Sequence, residues 1–105
     1  MAWVYLVLAG LLEVVWAFTM KQSEGFTRIV PTGITVLAMI GSVVLLALAM
    51  RSLPLGTAYT IWTGIGAVGA FVLGILVLGE AVTPMRITAA VLIVSGLVMM
   101  KLATN

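Results

Sequence analysis

Glu13 is the one acidic residue set inside a long apolar run, between Ala2 and Met20. It lies ten residues after Trp3. On a helix that is roughly 15 Å, about half of a ~30 Å hydrocarbon core. A carboxylate at that depth costs about 2.5–3.5 kcal/mol on insertion scales, and the usual roles are an ion path, a proton relay or a counter-ion. A structural hydrogen bond is the other use, but no Lys or Arg lies mid-span anywhere in the chain to pair with it. Low dielectric disfavours the charged form, so the side chain holds a proton when its surroundings are empty and dry. An arriving cation favours the ionised form and expels that proton. One residue then takes a proton or a cation, which is the chemistry of exchange.

Other residues could shape a site around it. Trp16 is at i+3, so on a helix its indole stands beside the carboxylate; it could equally be an interfacial anchor. Gly10 and Ala17 make the same face small enough for close helix packing. Tyr59 and Trp62 are also three apart, and offer either an aromatic belt or a wall with a phenol and an indole face for a cation. Ser42 is the lone hydroxyl deep in its run, where a bond to its own backbone is the plain alternative. Gly64-Ile65-Gly66 weakens a helix just after Trp62, and Gly66, Ala70 and Gly74 form a small-residue seam. Gly96 is one of the eight glycines, of eleven in all, that fall within apolar runs.

The elements that must position these residues follow from composition. The chain has 105 residues, 64% hydrophobic and 8% charged, with a mean hydropathy of +1.35. Eight charges cannot cover a water-soluble surface of this length, which excludes a soluble enzyme, a disordered tail and an electrostatic nucleic-acid binder. Cys and His are absent, so disulfides, thiolate chemistry and Cys or His metal sites are excluded; no metal or cofactor is expected. Four apolar runs, about Ala2–Met20, Ile29–Met50, Thr57–Leu78 and Met85–Met100, are each near the length of a membrane-crossing helix. Without two-residue alternation, helices are favoured over barrel strands. The expected architecture is an all-α membrane protein with four transmembrane helices in one domain, residues 1–105. Thr83-Pro84 reads as a helix N-cap followed by a first-turn proline. The first run does not read as a signal peptide, because it lacks a basic start and is interrupted by Glu13.

Four spans place both termini on one side, with Arg51 and Lys101, and Lys21, Arg28 and Arg86 on the other. Two basic residues against three is a weak orientation signal. Either the extra charge fixes one orientation, or the chain inserts both ways up. Four helices with one carboxylate make half a transporter, since larger ones build a midplane site between inverted repeats. A second copy would supply the other half, and near-balanced loops would let that dimer be antiparallel.

The whole chain resembles the small multidrug resistance family, in its guanidinium-exporter branch. The likeness is carried by Gly10-Leu-Leu-Glu13-Val-Val-Trp16-Ala17, by Lys21 and Gly25-Phe-Thr-Arg28, by Leu53-Pro-Leu-Gly56-Thr-Ala-Tyr59-Thr-Ile-Trp62-Thr-Gly-Ile-Gly66, and by Lys101. Trp16 marks the branch, because polydrug relatives usually carry a small residue there. The resemblance implies an antiparallel, dual-topology homodimer in the bacterial inner membrane that exchanges protons for guanidinium, with no enzymatic activity and no nucleic-acid partner. It implies that both Glu13 carboxylates bind substrate and protons. Trp16, Ser42, Tyr59 and Trp62 would line the site, with Ser42 and Trp16 bonding the carboxylates, and the fourth helix with Gly96 would provide dimer contact. The competing readings are a broad exporter of quaternary ammonium and lipophilic cations, a passive channel, and a non-transporting membrane subunit.

Overall fold

The structure, a computed structural model, describes residues 1–104. They form four helices: α1 (Ala2–Gln22), α2 (Ile29–Ala49), α3 (Leu55–Leu76) and α4 (Pro84–Thr104). All four are long and apolar enough to cross a membrane. At 21 or 22 residues each, a helix spans ~32 Å, which matches the hydrocarbon thickness.

Local chemistry sets the helix ends. α1 runs past Met20 to Gln22 and stops at Ser23. The Ser23 hydroxyl donates to the Met20 carbonyl at 2.7 Å and accepts the Phe26 N–H at 3.0 Å. Glu24, Gly25 and Phe26 then turn the chain through left-handed backbone. α3 starts two residues before Thr57, directly after Pro54. α4 starts at Pro84, and the Thr83 hydroxyl accepts the Arg86 N–H at 3.1 Å, closing an N-cap. α4 also continues past Met100 to Thr104. Lys101 does not end it, because its ammonium swings over the Trp3 ring, 5.0 Å from the centroid. A long basic side chain at a span end keeps its charge at the interface this way while the helix continues.

The helices form a slab of 41 × 35 × 16 Å. α1 lies at the centre and packs on both α2 and α3, while the backbone of α4 approaches only α3. The buried centre is Leu6 and Ala9 of α1, Leu46 and Ala49 of α2, and Ala58 and Ile61 of α3. Half of these are alanines, as expected where helices pack by close approach rather than by excluding water. No residue of α4 is buried, so within a single chain this helix has partners on one side only.

A polar clasp between Thr19 and Thr35 joins α1 to α2. Their hydroxyls are 2.6 Å apart. Thr35 also reaches the Pro31 carbonyl at 2.7 Å. Thr19 in turn reaches the Val15 carbonyl at 3.1 Å, so each hydroxyl has a carbonyl of its own helix as a second partner and either can be the donor across the pair.

Candidate functional site

Glu13 sits midway along α1, and its carboxylate lies against the backbone of α3 at Gly66. A Cβ built on Gly66 would overlap the carboxylate, so this glycine provides the space that the acid occupies. Glu13 Oε1 is buried with no hydrogen-bond partner among the described residues, and Trp16 Nε1 is likewise buried and unpaired. One is an acceptor and the other a donor. They stand three residues apart on one helix, in surroundings where an unmade hydrogen bond is costly. Among the described residues the one ion pair is Glu80–Arg86, at 3.3 Å near the start of α4. Glu13 therefore has no built-in cation.

Ser42 comes from α2 and is fully buried. Its hydroxyl donates to the Ala9 carbonyl at 2.6 Å and accepts the Trp62 indole N–H at 2.9 Å. Ala9 lies four residues before Glu13, so its carbonyl also accepts the Glu13 backbone N–H within α1. Three helices thus meet at one hydroxyl, one turn of α1 away from the acid. This differs from the bonding that the resemblance implies. Within one chain neither Ser42 nor Trp16 bonds the Glu13 carboxylate. The Ser42 proton is engaged by Ala9, and the carboxylate is turned towards α3.

Tyr59 stacks beside Trp62, with ring centroids 5.5 Å apart and planes inclined at 49°. Tyr59 is half exposed and faces a groove of about 530 Å³ between α3 and α4, whose walls include Thr63, Gly64, Gly96 and Leu97. The structure therefore gathers Glu13, Gly66, Ser42 and Trp62 around the middle of α1 and leaves Tyr59 on an open face. Of the other glycines singled out in sequence, Gly10 seats Ile65 and Gly64 seats Leu97, while Gly96 has nothing within 4 Å of a built Cβ.

Two features escape a reading of sequence. One is that Gly66 touches the acid itself, since the interhelical register that joins position 13 to position 66 has no local signature. The other is the Thr19–Thr35 clasp. Its one available signal is a pair of hydroxyls at the same end of adjacent antiparallel spans.

The family model described as Small Multidrug Resistance protein matches residues 1–103. The chain is 58% identical over 105 residues to a protein named guanidinium exporter from Escherichia coli strain K12, covering 100% of both chains. It is 55% identical, with the same full coverage, to proteins of that name from Citrobacter freundii and Salmonella typhimurium. With four helices able to span a bilayer and a family match along nearly its whole length, the chain belongs to the small multidrug resistance family.

Proposed function

We propose that two copies of this chain, in opposite orientations, exchange protons for guanidinium ion across the bacterial inner membrane. The reading makes it a transporter and not an enzyme. The observation that carries it is the Glu13 carboxylate halfway along a membrane span, with its Oε1 buried and unpartnered and no basic side chain paired with it among the described residues. Full-length relatives named guanidinium exporter supply the substrate class.

The chemistry is consistent with that substrate. Guanidinium is planar, offers a fork of N–H donors and accepts no hydrogen bond. A carboxylate meets it with two parallel bonds, and aromatic faces meet its plane. Indole N–H is also a donor, so Trp16 can serve only the acceptor, the carboxylate. Its buried, unpaired N–H is suited to a Glu13 from the second copy. The balance of the step is simple. Protonated Glu13 releases its proton, the carboxylate takes the cation, and the reverse occurs on the other face.

A second copy is supported by α4, which buries no residue in one chain, and by the open space over Gly96. Opposite orientation is supported by the small charge difference between the two ends, three basic residues against two.

Transport in liposomes containing only this protein tests the proposal. An imposed pH gradient should drive guanidinium uptake, and Glu13→Gln should abolish it. Steady guanidinium flux that ignores the pH gradient would mean a channel. Transport that survives Glu13→Gln would move the exchange chemistry to another residue.

A further inference from the structure

α4 carries one basic residue near each end, and each lies over an aromatic ring on a neighbouring helix. The Arg86 guanidinium is 5.2 Å from the Phe71 centroid on α3, and the Lys101 ammonium is 5.0 Å from the Trp3 centroid on α1. The two ends differ in counter-charge. Arg86 pairs with Glu80 at 3.3 Å, whereas Lys101 has no carboxylate partner among the described residues. Beside Lys101 runs a groove of about 300 Å³ whose other walls are all apolar, among them Trp3 and Val7 of α1, Ile65 of α3, and Val98 of α4. A cation over a tryptophan, at the end of a span, lies at the depth of lipid headgroups.

We propose that this groove binds an anionic phospholipid, with the headgroup phosphate on the Lys101 ammonium and an acyl chain along the apolar wall. The charge selects the headgroup, and the groove selects the chain. The occupant is a lipid and not the second copy, because of where the groove lies on α4. At about 100° per residue, Lys101 and Val98 stand roughly 140° and 200° around the helix from Gly96. A partner covering the open Gly96 face leaves the groove to the bilayer. The choice of a lipid over the second copy rests on the proposed dimer, and the inference is independent of the transported substrate.

The test is native mass spectrometry of the full-length protein in neutral detergent, titrated with phosphatidylglycerol or phosphatidylcholine carrying the same chains. Phosphatidylglycerol should bind about fivefold more tightly, the worth of one lysine near an anionic lipid. Lys101→Gln should bring the two lipids level. Val98→Trp, which fills the groove and keeps the charge, should weaken both. Lys21→Gln, at the other end of the molecule, should leave the preference intact. The proposal is overturned if Lys101→Gln retains the preference, if Lys21→Gln loses it equally, or if Val98→Trp binds both lipids as wild type does. It is equally overturned if chain-free glycerol phosphate displaces the lipid at matched concentration, for then the site holds a soluble anion.

Discussion

The Glu13 carboxylate rests on Gly66, at the point where α3 has no side chain to keep it away. The acid on α1 and the glycine on α3 are therefore one structural unit. Neither position can change without the other responding.

Gly66→Ala should displace Glu13, because the added methyl falls within the carboxylate. Overpacking of this kind costs about 1–3 kcal/mol, and transport should fall at least tenfold. The informative measurement is a double-mutant cycle on unfolding. With Glu13→Ala in place the clash has no partner, so Gly66→Ala should become nearly neutral in stability. A cycle with no coupling between the two sites would contradict the contact.

Ser42→Ala should strand the Trp62 indole N–H, which has the Ser42 hydroxyl as its acceptor. The Ala9 carbonyl suffers less, since it keeps its helical bond from the Glu13 N–H. Interhelical hydrogen bonds in membrane proteins couple by about 0.6 kcal/mol on average and at most ~1.7, and a loss in that range is expected on unfolding. Trp62→Phe made in the Ser42→Ala background should cost only its lost packing, without a hydrogen-bond penalty. Equal costs in both backgrounds would show that the bond contributes nothing.

Much of the fold is legible in sequence because the bilayer imposes it. Apolar length alone marks four helices, and Glu13 stands out because no other charge lies midway along a span. Where the sequence signal stops, a side chain does something that its type does not announce. Lys101 looks like the end of α4, yet it bends over Trp3 and the helix continues to Thr104. Ser42 reads either as bonded to its own helix or as a site residue. Its real partners, Ala9 and Trp62, are 33 positions before it and 20 after it. Those bonds depend on how three helices are rotated against one another, and a single strand of letters does not encode that rotation locally.

Trp16→Gly should broaden and weaken the site together. It removes a bulky ring beside Glu13 and, among the described residues, the one buried indole donor without a partner. A hydrogen bond to a charged group contributes about 1.5–3 kcal/mol, so guanidinium transport should drop more than tenfold. Tetraalkylammonium ions, which need width and no donor, should gain. Competition assays with both cations read the two changes at once. Unchanged guanidinium transport would favour the broad-exporter reading.

Opposite orientation can be tested by forcing it. The end with Lys21, Arg28 and Arg86 carries three basic residues and the end with Arg51 and Lys101 carries two. Glu24→Lys with Arg51→Gln changes that count from three against two to four against one. Lys21→Gln and Arg28→Gln with Ser52→Lys change it to one against three. Short-loop lysine and arginine bias sets orientation, so each variant should insert predominantly one way, in opposite senses, as read by a reporter at the C-terminus. Neither alone should transport guanidinium well, because its copies all face the same direction. Expressed together they should recover activity, since each then finds an inverted partner. All the substitutions lie at span ends, away from Glu13, so lost activity in the single expressions reports orientation and not damage to the site. Full activity from either variant alone would mean that parallel copies, or one chain, suffice.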